Sequence, residues 1–127
     1  MKMLVFQSPL FAPYLPDDCQ VNPNVLGFEL AHWLSLELAK ARTITSYPNA
    51  EDWGWFLDFA EGGVEYMICC SGSAEDGGAF EWRVYVEAPK KLFRKGSPGP
   101  ASATLLEGIR AVLTRAGIPV ADEDDQA

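Results

Sequence analysis

The stretch Ala50-Glu51-Asp52-Trp53-Gly54-Trp55-Phe56-Leu57-Asp58-Phe59 decides how the chain is read, because Trp53, Trp55, Leu57 and Phe59 fall on alternate residues. A strand sends alternate side chains to one face, so this spacing predicts a strand with one large apolar stripe. Aromatic side chains dominate core energetics once buried, which makes this the expected central strand of the sheet. A period-two stripe is a packing signal and requires no particular reaction.

Working outward, Gly62-Gly63 supplies the two positive φ values of a type I′ turn, which predicts a direct reversal into Val64-Glu65-Tyr66-Met67-Ile68-Cys69-Cys70. With Glu61 opposite Val64, the register sets Phe59 against Tyr66, Leu57 against Ile68 and Trp55 against Cys70, all facing inward. Ser71 to Gly78 is polar and glycine-rich; it lacks the Gly-Lys-Ser/Thr ending of a phosphate loop and carries two acids, so a hairpin connection is expected. Ala79 to Ala88 reads as another strand, with Phe80, Trp82, Val84 and Val86 inward and Glu81, Arg83, Tyr85 and Glu87 outward.

Toward the start, Lys2 to Gln7 predicts a short strand buried on both faces or lying at an edge. A helix is expected from about Asn22 to about Ala41. Leu26, Leu30, Trp33, Leu34 and Leu38 form its buried face, with Glu29, Lys40 and Arg42 on the wet side and His32 on the flank. Thr43-Ile44-Thr45-Ser46 is β-branched and predicts a short strand. A last helix takes its cap from Ser102 or from a Thr104/Glu107 capping box, buries Leu105, Ile109, Val112, Leu113 and Ala116, and stops at Gly117. Together these predict an α+β fold in the order β-α-β-β-β-β-α. Its antiparallel sheet would have about four to five strands, with two helices packed on one face.

At 127 residues the chain suits one domain, expected over residues 1–120, with residues 121–127 as an acidic, disordered tail. No run approaches the roughly 20 apolar residues of a membrane span, and Met1 to Gln7 is too short for a signal peptide. The expectation is a cytoplasmic protein with no membrane partner. Ten Lys and Arg against eighteen Asp and Glu give a net charge of −8, which argues against a nucleic-acid partner. Asp122, Glu123, Asp124 and Asp125 contribute four of those acids, so the body is only mildly acidic. Lys90-Lys91-Leu92-Phe93-Arg94-Lys95 gathers cations that would suit an acidic partner or, more plainly, a solvated turn.

Three cysteines cannot close a disulfide set, and one histidine in the chain provides no Cys/His metal spacing. No metal and no cofactor are expected. Ser8 to Asn24 is a long connection with Pro9, Pro13, Pro16 and Pro23. It is read as a lid laid over the core by Phe11, Tyr14 and Leu15, or as a functional loop.

Asn22-Pro23, Gly27, Leu30-Ala31, Trp33-Leu34, Glu51-Asp52-Trp53-Gly54-Trp55, Cys70 and Glu81-Trp82-Arg83 give the chain a resemblance, from about Asn22 to Glu87, to a group of small uncharacterised bacterial proteins. That group has a similar helix, an Asp-Trp-Gly-Trp strand and a later Glu-Trp-Arg strand. The resemblance implies a bacterial or phage source and one small domain, and it brings no catalytic residues.

No nucleophile-base-orienter set can be assembled from these residues, so no catalytic residue is assigned. Strand parity instead sends Phe56, Asp58, Glu65, Met67, Cys69, Arg83 and Tyr85 to the face away from Trp55. Of these, Phe56, Met67, Arg83 and Tyr85 are the expected protein-binding residues, because aromatics, Met and Arg among mixed charges compose an interface. The leading functional expectation is a protein-binding module of inhibitor, immunity or adaptor type, engaging another protein or itself. The alternative is a small hydrolase-like enzyme using Glu51, Asp52 or His32 in a cleft under the Ser8 to Asn24 loop.

Overall fold

The computed structural model describes residues 2–19, 25–88 and 100–124. Strand β1 (Lys2–Gln7) is followed by helix α1 (Phe28–Lys40), then β2 (Asn49–Glu51), β3 (Gly54–Glu61), β4 (Val64–Ala74), β5 (Phe80–Glu87), helix α2 (Pro100–Arg115) and β6 (Ala121–Asp124). The strands form one sheet in the order β2-β3-β4-β5-β1-β6, with every pairing antiparallel. The fold is α+β, and its sheet of six strands is larger than the sequence predicts.

The Gly62-Gly63 turn has positive φ at both positions and sets the predicted β3/β4 register, Phe59 to Tyr66, Leu57 to Ile68 and Trp55 to Cys70. That register puts Trp55, Leu57, Ile68, Cys70, Trp82 and Val84 on one face, packed with Leu30, Leu34 and Leu38 of α1 and Leu105, Ile109 and Leu113 of α2. Both helices lie on this inner face. Helix α1 carries the chain from β1 to the far edge at β2, and α2 carries it from β5 past β1 to β6.

Both helices end in Schellman geometry, in which the last free carbonyls are capped by the next two amides. In α1 the amides of Arg42 and Thr43 donate to Ala39 and Leu38, with Arg42 taking the left-handed φ of 68° in place of the usual glycine. In α2 Gly117 takes that position, and the Gly117 and Ile118 amides donate to Thr114 and Leu113.

Several sequence expectations change. Helix α1 begins at Phe28, six residues beyond Asn22, because Gly27 at φ 136° breaks the helical path; residues 22–24 lie outside the described residues. Thr43 to Ser46 forms no strand. Ser46 instead donates its amide to the Asp58 carbonyl and accepts the Asp58 amide on its hydroxyl, leaving Asn49–Glu51 to pair with β3. Strand β3 is therefore next to the edge, and β4 and β5 occupy the centre. Glu29, expected on the wet side, is buried, and Ala116 is exposed. Ala121–Asp124, expected as part of the disordered tail, pairs with β1 as β6; residues 125–127, like the Lys90 to Lys95 cluster, lie outside the described residues.

Candidate functional site

The largest sequence misreading concerns Trp53, and it reshapes the candidate surface. Glu51 pairs with Gly54, so Asp52-Trp53 is a two-residue turn and the alternation of the following strand does not extend back through it. Trp53 is 40% exposed and belongs to the outer face, where its ring centroid lies 6.1 Å from that of Tyr85. Strand β4 lies between β3 and β5, so the Trp53 indole reaches across a whole strand to meet Tyr85. The stripe predicted to include Trp53 is reduced to Trp55, Leu57 and Phe59.

Of the residues expected on the outer face, Phe56, Met67, Arg83 and Tyr85 all lie there on adjacent strands. Phe56 stands opposite Cys69, which stands opposite Tyr85; Met67 stands opposite Asp58 and Glu87. Phe56, Met67, Arg83 and Tyr85 are each half-buried, and no helix of the described residues packs on this side. Arg83 is ion-paired with Glu81, two residues along the same strand face. Strand β1 adds Met3 opposite Tyr85 and Val5 opposite Arg83.

Cys69 is fully buried although it faces outward. Phe56 and Tyr85 flank it, Trp53 crosses above its strand, and its thiol lies 3.9 Å from the Met67 carbonyl oxygen. Burial, reinforced by the nearby Glu87 carboxylate, pushes the Cys69 thiol up to about 12. Burial likewise raises Tyr85, with Cys69 and Glu87 adding to it. Cys70 is fully buried on the inner face, and burial raises its thiol as well. A thiol held neutral in this way is a small packing group and a poor nucleophile at neutral pH.

A second cluster forms where the proline-rich loop meets α1. Phe11 is buried, edge-on to Phe6, Trp33 and Trp82, and the Trp82 indole N–H donates to the Ser8 carbonyl at 2.9 Å in the core. The buried Glu29 carboxylate accepts the backbone amides of Tyr14 and Leu15 at 3.0 and 2.9 Å. Charge-assisted bonds of this kind are the strong ones. Tyr14 then places its hydroxyl 3.0 Å from Nδ1 of His32, whose ring stacks on Phe28 and neighbours Tyr47. Burial and the Glu29 charge raise the Tyr14 hydroxyl. The loop is a lid in its first half, seated by Phe11.

The residues of the enzyme alternative are placed as follows. Glu51 and Asp52 are exposed at the β2/β3 turn, while His32 is half-buried on α1 under Tyr14. No group of three or more His, Cys, Asp or Glu residues that would hold a metal ion exists among the described residues, and no helix among them is long and apolar enough to cross a membrane.

Trp53 is the outer-face residue that sequence reasoning missed. The signal was present: an Asp-X-Gly sequence preceded by a residue able to pair marks a tight turn. No protein-family model, no curated protein and no solved structure matches the chain.

Proposed function

We propose that this protein is a binding module that engages another protein through the outer face of its sheet, in the manner of an inhibitor, immunity or adaptor protein. The observation carrying this reading is the run of Trp53, Phe56, Met67 and Tyr85 over adjacent strands on a face that no described helix covers. Large aromatic and Met side chains that remain partly wet after folding have apolar surface left to bury, and partner association is the usual way of burying it. The enzyme alternative would use Glu51, Asp52 or His32 under the Ser8 to Asn24 loop, and of these His32 is hydrogen-bonded through Nδ1 to the Tyr14 hydroxyl. It has less support, because Glu51 and Asp52 are exposed at the β2/β3 turn.

The test is capture from bacterial extract with the wild-type chain and with Phe56→Ala, followed by titration of the purified captured protein. Truncating a hot-spot aromatic weakens association by about 2 kcal/mol or more. Leu36→Ala, on the exposed side of α1, leaves it unchanged. Capture that ignores Phe56→Ala, or a melting temperature that collapses in this variant, removes the reading.

A further inference from the structure

The charges around the apolar strip say what kind of surface fits it. Strand register places Glu51, Asp58, Glu65, Glu81, Glu87 and Glu123 on the outer face. Among the described residues Arg83 is the cation on that face, and it is already paired with Glu81. Asp58, Glu65, Glu87 and Glu123 are exposed. They surround Phe56, Met67 and Tyr85: Asp58 and Glu87 stand on either side of Met67, Glu65 lies two residues before it, and Glu123 lies beyond Met3. Lys40, by contrast, lies on a helix and is paired to Glu37 there. Among the described residues the face is thus an apolar centre whose unpaired rim charges are carboxylates, with Arg83 held by Glu81.

We infer that the partner of this face is a protein surface with an apolar centre and an arginine- or lysine-rich rim. This rests on the reading that the face binds protein, and it adds the chemistry of the partner. Two copies meeting face to face would set carboxylates against carboxylates, and like charges across an interface suppress the wrong partner. Nucleic acid would meet the same repulsion at its phosphates. A basic rim converts those carboxylates from a cost into steering and register, while the aromatic strip supplies the burial.

Two synthetic β-hairpins that share one tryptophan/leucine face and differ only at their rims, arginine in one and glutamine in the other, test this with the full chain. The expected result is that the arginine hairpin binds at least about tenfold more tightly at low salt and loses most of that advantage when salt is raised well above about 0.1 M. Glu65→Gln/Glu87→Gln weakens it several-fold, whereas Glu37→Gln/Glu107→Gln, the same charge change on the helix side, does not. Equal weakening by both double variants shows attraction to the overall negative charge and overturns the inference. Equal binding of the two hairpins overturns the basic rim and leaves the face reading standing, as does self-association by sedimentation that Phe56→Ala abolishes. No binding of either hairpin and no self-association overturn both.

Discussion

The indole of Trp53 leans on the phenol of Tyr85 across an intervening strand, with ring centroids 6.1 Å apart and planes inclined by 39°. Trp82 and Trp55 are buried and Trp33 is half-buried, so Trp53 is the indole most open to water. Trp53→Phe is expected to remove most of the acrylamide-quenchable fluorescence while the melting temperature shifts little, since exposed positions change stability by only about 0.5 kcal/mol. Unchanged quenching would place Trp53 in the core.

Glu29 ties the proline-rich loop to α1 through two backbone amides. Glu29→Ala leaves both amides without their acceptor, and the expected loss is about 1–3 kcal/mol. Amide exchange should rise at Tyr14 and Leu15 before it rises in the sheet. Glu29→Gln, which keeps one acceptor oxygen, loses less. Equal exchange in all three proteins would show that Phe11 alone seats the loop.

Gly72 stands opposite Trp82 across β4 and β5, and an added Cβ would overlap the Trp82 ring. Trp82 is fully buried and hydrogen-bonded to Ser8, so it has no room to yield. Gly72→Ala should cost about 1–3 kcal/mol by overpacking, read as a fall in denaturation midpoint. Gly108→Ala is the control, since a Cβ at that helical position meets nothing within 4 Å.

Thiol labelling separates the three cysteines. Cys19 is exposed and Cys69 and Cys70 are buried, so a maleimide at neutral pH is expected to modify one thiol in the native protein and three after denaturation. Fast labelling of Cys69 in the native protein would show that Phe56, Tyr85 and Trp53 do not close over it.

The raised thiols also set an alkaline limit. An acid whose pKa is higher in the folded state binds its proton more tightly there, so its contribution to stability is complete below the unfolded value. That contribution is lost as pH rises through the folded one. For Cys69 the window runs from its ordinary value near 9.0 to about 12. Stability should decline across it, and Cys69→Ala should flatten the decline measured by urea denaturation at successive pH values.

Much of the fold was legible in local pattern. Gly62-Gly63 and the alternation on either side of it were enough for the β3/β4 register, because a two-residue turn leaves one way to align apolar faces. Pattern failed where a contact distant in sequence overrode it. Thr43 to Ser46 has strand composition, yet Ser46 spends its amide and hydroxyl on Asp58. Glu29 reads as a wet helical residue until the loop amides fifteen and fourteen residues away descend on it. The acidic run at Asp122 reads as disorder because its pairing partner lies at the other end of the chain, in β1, and because Arg110 and Lys2 meet Asp122 there. On the candidate face, parity alone placed Phe56, Met67, Arg83 and Tyr85, and the tight turn at Asp52-Trp53 hid the fifth.

Strand β6 has a further consequence for how molecules of this protein meet. A sheet edge normally invites another chain to add a strand, through its row of unpaired amides and carbonyls. Here one outer edge is β6, where any newcomer would lie along Asp122, Glu123 and Asp124. The opposite edge is β2, only three residues long and entered directly from Pro48. One margin is fenced by charge and the other by brevity, so lateral growth into a continuous ribbon is disfavoured at both. Six strands can thus carry an aromatic face that no described helix covers without the sheet becoming a template for its own copies.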